Sequence, residues 1–118
     1  MSLSNIEIRA WLQEWRHTHS PWGEKLDRNG YSESVLSEEG KCYRCGKGGD
    51  LARHEIYRGN NRKTSKACGF YISVCPSCHD MYHRDHELAK QLKKECQRYF
   101  ELSHTREEFM ALIGRNYL

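Results

Sequence analysis

The chain has 118 residues, 37% hydrophobic and 30% charged, with a formal net charge of +3 and a mean hydropathy of −0.92. Its length fits one small domain, and so polar a composition excludes a generous apolar core, so something besides apolar burial must help hold the fold. No basic segment leads into an apolar run, and no stretch approaches the roughly 18 apolar residues of a membrane span. A soluble, cytoplasmic protein is expected, and in a reducing compartment its six cysteines favour metal over disulfide.

In chain order, Ser4 and Glu7 form a capping-box pattern, and Ile8, Trp11, Leu12 and Trp15 recur at helical spacing. An amphipathic helix is expected over residues 5–17, its tryptophans serving the core or an oligomer contact. Residues 18–40 carry Pro21, Gly23, Gly30 and Gly40 without a sustained period and read as a connecting arm. Residues 1–40 are taken as helix and arm, and residues 41–118 as the functional domain.

Cys42-Tyr-Arg-Cys45 and the glycines that follow predict a knuckle-like turn. Leu51 to Arg58 reads as a strand, Gly59 to Ala67 as a polar basic loop, and Phe70 to Val74 as a second strand entering Cys75-Pro-Ser-Cys78. These make a β-hairpin with a long loop. From His79 one long helix is expected to about residue 101, with Leu88, Leu92, Cys96 and Tyr99 on one face. Thr105 and Glu108 cap a final helix carrying Phe109, Leu112 and Ile113, which Gly114 ends.

Charge divides unevenly. Residues 1–40 hold four basic and seven acidic side chains, whereas residues 41–66 hold eight basic ones against Asp50 and Glu55. Such asymmetry points to a polyanionic partner.

The two Cys-x2-Cys turns are the strongest signal. Each lets two thiolates converge on one ion, and together they complete a tetrahedral shell suited to Zn2+. The 29 residues between them are spanned if the hairpin folds back. Four thiolates leave no open position, so Cys42, Cys45, Cys75 and Cys78 would form a structural site. Cys96 belongs to the apolar face of the long helix, and Cys68 has no assigned role.

His79 and His83 stand four apart and share a helix face, a spacing that offers two metal ligands. His86 continues that face, and His54 lies on the strand expected opposite.

Strand-His, loop, strand, Cys-x2-Cys-His, helix, His resembles the HNH, or His-Me finger, nucleases. The segments CYRCG, RHEIYRG, NRKTS, VCPSCH and REEFMALIGRNYL are similar to small phage-encoded HNH proteins, over roughly residues 41–118. The resemblance implies an α+β fold with a ββα-metal core and a four-cysteine, zinc-ribbon-like site, flanked by helices, in a phage or its bacterial host. It implies a DNA endonuclease in which a strand histidine activates water and one divalent ion, Mg2+ or Mn2+, polarises the scissile phosphate. His79 and His83 match the helix ligands. Arg62 and Ser65 match positions that touch the phosphate.

The strand departs from the family pattern of Asp-His or His-His before an aliphatic residue, because this chain reads His54-Glu55-Ile56. In strict register His54 is the ligand and Glu55 the base, although an ordinary glutamate is the weaker base near neutral pH. In a shifted register His54 is the base and Glu55 ligates metal or orients a partner. His54 is expected to be essential in both, with the base role favoured. The motif's middle asparagine is missing near Phe70, and Asn60 and Asn61 are its nearest substitutes.

Arg58, Arg62, Lys63 and Lys66, in and beside the expected loop, would bind DNA phosphates without reading sequence. A single site cuts one strand, so concerted double-strand cutting would need a homodimer. The alternative readings are a non-catalytic zinc-ribbon module that binds nucleic acid, and a zinc-stabilised interaction protein using Trp11, Trp15 and Trp22.

Overall fold

The computed structural model describes residues 3–118. Its α-helices are α1 (Asn5–Ala10), α2 (Arg62–Cys68), α3 (Pro76–Arg84), α4 (His86–Phe100) and α5 (Arg106–Ile113). Its strands are β1 (Ala52–Glu55) and β2 (Tyr71–Val74).

The expected capping box forms. Ser4 Oγ accepts from the Glu7 amide at 3.1 Å, and Glu7 Oε2 accepts from the Ser4 amide at 2.8 Å. Beyond Ala10 the helix widens into a π-turn over Trp11–Trp15. Ile8 and Trp11 enter the core, whereas Trp15 is 52% exposed. The arm after it contains no named helix or strand, yet it is stitched to the body. The Ser32 amide donates to the Lys66 carbonyl at 3.0 Å and the Val35 amide to the Gly69 carbonyl at 2.9 Å. Ser37 Oγ accepts from the Ser73 amide at 3.0 Å and Ser34 Oγ donates to the Tyr71 carbonyl, so the arm covers part of the edge of β2 that faces away from β1.

β1 and β2 pair antiparallel with His54 opposite Ile72. β1 is shorter than the strand expected to run to Arg58: the Ile56 amide still donates to the Phe70 carbonyl at 2.9 Å, but the Phe70 amide turns to the Ser65 carbonyl at 2.8 Å and the Tyr57 amide to Ser65 Oγ at 3.2 Å. The residues between the strands correct the sequence reading. They form a turn of 3-10 helix (Gly59–Asn61) and then α2, not a loop. Thr64, Ala67 and Cys68 give α2 a buried face. Gly69, at φ +77°, ends it in the left-handed conformation.

The long helix expected after His79 is two helices. Asp85 stands between them at φ −98°, ψ 101°, and its carboxylate caps α4 by accepting from the Leu88 amide at 3.0 Å. α3 packs across both strands and against α4, and α1 packs against α5. Tyr57, Phe70, Phe100 and Phe109 form the centre of the core, with ring centroids 5.4 to 6.1 Å apart in mostly edge-on pairs. Cys96 and Cys68 are buried there, whereas Tyr99, expected on the inner face of α4, is 50% exposed. The fold is thus a small α+β arrangement, a two-stranded antiparallel sheet with five α-helices among the described residues. None of those helices is long and apolar enough to cross a membrane.

Candidate functional site

The four cysteines of the paired motifs meet at one end of the sheet. Cys42 and Cys45 sit in the turn before β1, where the Gly46 amide donates to the Cys42 carbonyl at 2.8 Å and the Tyr43 amide to the Ser73 carbonyl at 2.8 Å. Cys75 is the N-cap of α3, Pro76 opens its first turn, and Cys78 follows on that turn. All four sulfurs lie within 4.8 Å of one another, and Cys45 Sγ is 3.8 Å from Cys75 Sγ. Zn–S bonds of about 2.3 Å in a tetrahedron place the sulfurs about 3.8 Å apart, so the set is positioned to bind a metal ion of that kind. The electrostatics favour the thiolate at two of the four, Cys42 and Cys75, and oppose it at Cys78. Burial raises the Cys42 thiol, but the Cys45 and Cys75 amides outweigh it and lower it to about 6; the Cys78 amide likewise lowers Cys75. Burial and the neighbouring thiols raise Cys78.

α3 starts at this clamp and carries His79 and His83 over the sheet. His54 projects from β1 towards them and is buried, its ring 5.3 Å from His79, 5.1 Å from His83 and stacked at 5.5 Å on Tyr82. One ring nitrogen from each of the three histidines falls within a 4.8 Å group. His79 Nε2 and His83 Nε2 are 3.0 Å apart, where two ligands bound at about 2.1 Å would lie about 3.0 to 3.4 Å apart. Three imidazoles suit a borderline transition ion better than Mg2+, which prefers oxygen. Burial lowers His54 to about 4, with the positive charge of His79, His83 and Arg58 acting the same way; burial and His83 also lower His79. Near neutral pH His54 is therefore uncharged, with a lone pair to offer.

The histidines line a cleft of about 510 Å³ with Tyr31, Arg53, Glu55, Arg58 and Arg62. Glu55 is held at its rim by Arg62, whose Nε donates to Oε1 at 2.7 Å. Burial pushes this carboxyl up, but the Arg62 bond and charge outweigh it, so Glu55 lies below its usual range and is ionised. Arg58 Nη1 donates to His83 Nδ1 at 2.8 Å.

Other residues singled out in the sequence lie elsewhere. Lys63 and Lys66 do not line this cleft; they line a second one with Arg16 and Arg28. Ser65 cannot reach a phosphate, because it is fully buried and its hydroxyl bridges the Tyr57 carbonyl at 2.6 Å and amide at 3.2 Å. Asn61 donates to the Ile113 carbonyl at 2.9 Å and ties α2 to the end of α5; Asn60 is exposed on the preceding turn. His86 opens α4 beyond the Asp85 break and is exposed, so it does not continue the His79–His83 face. Tyr31 and Arg53, both in the cleft, carry no signal in the sequence. Tyr31 lies in the aperiodic arm, and Arg53 alternates with His54 on β1, where a strand pattern gives no reason to prefer it.

No family model matches the chain, and neither the curated proteins nor the solved structures compared with it contain a match.

Proposed function

We propose that the protein is a metal-dependent DNA endonuclease of the HNH type, with zinc in the cysteine site and a divalent ion at the histidines. The observation that carries this reading is the convergence of His54, from a strand, with His79 and His83, from a helix that starts at the cysteine cluster. A divalent ion held there supplies Lewis-acid polarisation of the scissile phosphate and stabilises the leaving 3′ oxygen. The chain's own residues supply the rest. His54 groups with the helix pair, which favours the strict register, in which it is a ligand. Glu55 then accepts the proton of the attacking water. It is ionised and beside the cleft, and moving Arg62 from it to a phosphate oxygen would strengthen it as a base. Arg58 and Arg62 are exposed at the rim and placed to hold the phosphodiester.

The test is nicking of supercoiled plasmid by the full chain across Mg2+, Mn2+ and Co2+. Activity with at least one ion is expected, falling about 100-fold or more in His54→Ala and His79→Ala. Absence of divalent-dependent cleavage on duplex, single-stranded and branched DNA would overturn the proposal. The same Glu55–Arg62 pair is what favours the second reading, a zinc module that binds nucleic acid without cutting it. That reading requires DNA affinity to be unchanged in His54→Ala.

A further inference from the structure

The second cleft, about 230 Å³, is built from three segments distant in sequence. Arg16 and His17 follow the N-terminal helical segment, Arg28 and Asn29 sit on a turn of the arm, and Lys63 and Lys66 come from α2. No acidic side chain lines it. Elsewhere arginines meet carboxylates: Arg53 with Asp27, Arg62 with Glu55, Arg84 with Asp80, and Arg106 with Glu101. None of Arg16, Arg28, Lys63 and Lys66 takes part in an ion pair among the described residues. Asp27, beside Arg28 in sequence, is turned away. One of its oxygens accepts from the Asn29 and Tyr31 amides at 2.9 and 3.0 Å, and the other meets Arg53 at 3.2 Å. Arg16 Nε is buried without a hydrogen-bond partner.

Like charges gathered without counterions repel, and a ligand that neutralises them removes that cost. The volume is below the roughly 300 Å³ at which small-molecule sites begin, and no Trp, Tyr or Phe lines the cleft as a platform for a base. A phosphate group on a longer chain fits these limits. The cleft also adjoins the histidine site. Arg62 and Lys63 are consecutive on α2, and Tyr31, which lines the histidine cleft, lies with its ring 4.7 Å from Lys66 Nζ.

We infer that this basic cleft is a second backbone-phosphate subsite, which grips DNA beyond the phosphate held at the histidines. The inference takes its substrate class from the nuclease reading. It gives the N-terminal arm a binding role through Arg16, His17 and Arg28.

The test uses fluorescence anisotropy of a short labelled DNA duplex with the full chain carrying His79→Ala and no added divalent ion, titrated with salt. Arg28 and Lys63 are exposed, so replacing both leaves the fold intact. Arg28→Ala/Lys63→Ala should weaken binding and reduce the salt slope by about 2, close to 0.9 for each phosphate no longer neutralised. Arg28→Lys/Lys63→Arg should retain it. Lys90→Ala/Arg98→Ala, which removes the same charge from α4, should leave it unchanged. An unaltered slope in the first variant, an equal loss in the α4 control, or binding of RNA but not DNA would overturn the inference. If the wild-type chain never cuts DNA while the Arg28/Lys63 effect persists, the nuclease reading fails and the subsite stands. If cutting is retained and that effect is absent, the reverse holds.

Discussion

Arg58 Nη1 lies 2.8 Å from His83 Nδ1, while the other nitrogen of the same ring lies 3.0 Å from His79 Nε2. A guanidinium only donates, so Nδ1 must accept and the ring proton sits on Nε2, facing His79. A ligating imidazole needs the opposite arrangement, a bare nitrogen towards the ion and a proton on the far one. Binding an ion through Nε2 therefore requires Arg58 to leave. Arg58→Ala should bind Mn2+ or Co2+ about tenfold tighter, since a charge-assisted hydrogen bond no longer has to be broken. Calorimetric titration of protein already loaded with zinc measures this, and unchanged or weaker affinity would refute it.

The cysteine site predicts one tightly held zinc per chain by elemental analysis. Its removal by a strong chelator should cost about 10 kcal/mol or more of folding free energy and unfold α3, visible by circular dichroism. Cys75→Ser should reproduce the effect. Cys96→Ala, in the apolar core, should lower stability but leave the zinc content at one.

Gly69 and Gly114 both end helices at positive φ, +77° and +84°, but in different surroundings. A Cβ on Gly69 would stand 2.1 Å from the Glu33 carbonyl oxygen, whereas one on Gly114 would meet nothing within 4 Å. Gly114→Ala should cost the left-handed penalty alone, about 1 to 2 kcal/mol. Gly69→Ala should cost at least about 3 kcal/mol, because the arm must also be pushed off α2. Chemical denaturation of the two variants, side by side, decides this.

Glu108, 3% exposed, accepts from the Leu3 amide at 2.9 Å and the Thr105 amide at 2.9 Å, joining the chain's beginning to α5. Burial pushes its carboxyl up, but the Thr105 and Leu3 amides outweigh this and hold it below the ordinary value of 4.5. A folded-state pKa depressed below the unfolded one stabilises the protein above the unfolded value. That stability is lost as pH falls through the folded one. Glu108→Gln should therefore cost about 1 to 2 kcal/mol at pH 7. The gap to wild type should close as pH drops below about 4.5. Denaturant titrations at several pH values check both.

What is legible in the sequence depends on whether the signal is local. Ser4 with Glu7 and Thr105 with Glu108 are each self-contained caps, and both form. The cysteine pairs are readable because two-residue spacing is itself a chelate geometry, and the four sulfurs do gather. α2 is disguised because Arg62, Lys63 and Lys66 dominate its composition, although Thr64, Ala67 and Cys68 ahead of Gly69 carry a helical stripe and its stop. The break at Asp85 is hidden because the apolar spacing of Leu88 and Leu92 invites extension back to His79. Asp85, three residues before Leu88, is the cap that marks it. The basic cleft is invisible to charge counting. Arg16 and Arg28 lie in a segment with net negative charge, and only folding brings them beside Lys63.

The short α3 fixes an angle as well as a position. Its first turn is anchored through Cys75 and Cys78, and each further residue rotates the outward direction by about 100°. Cys78 and His79, though adjacent, thus face different clusters, and His83 returns to the bearing of His79 one turn later. One residue inserted between Cys78 and His83 would swing the second imidazole out of phase with His54, whereas residues added to the surface turns of the arm would leave that phase untouched. The stretch from Cys75 to His83 acts as a ruler whose length the chain is not free to vary.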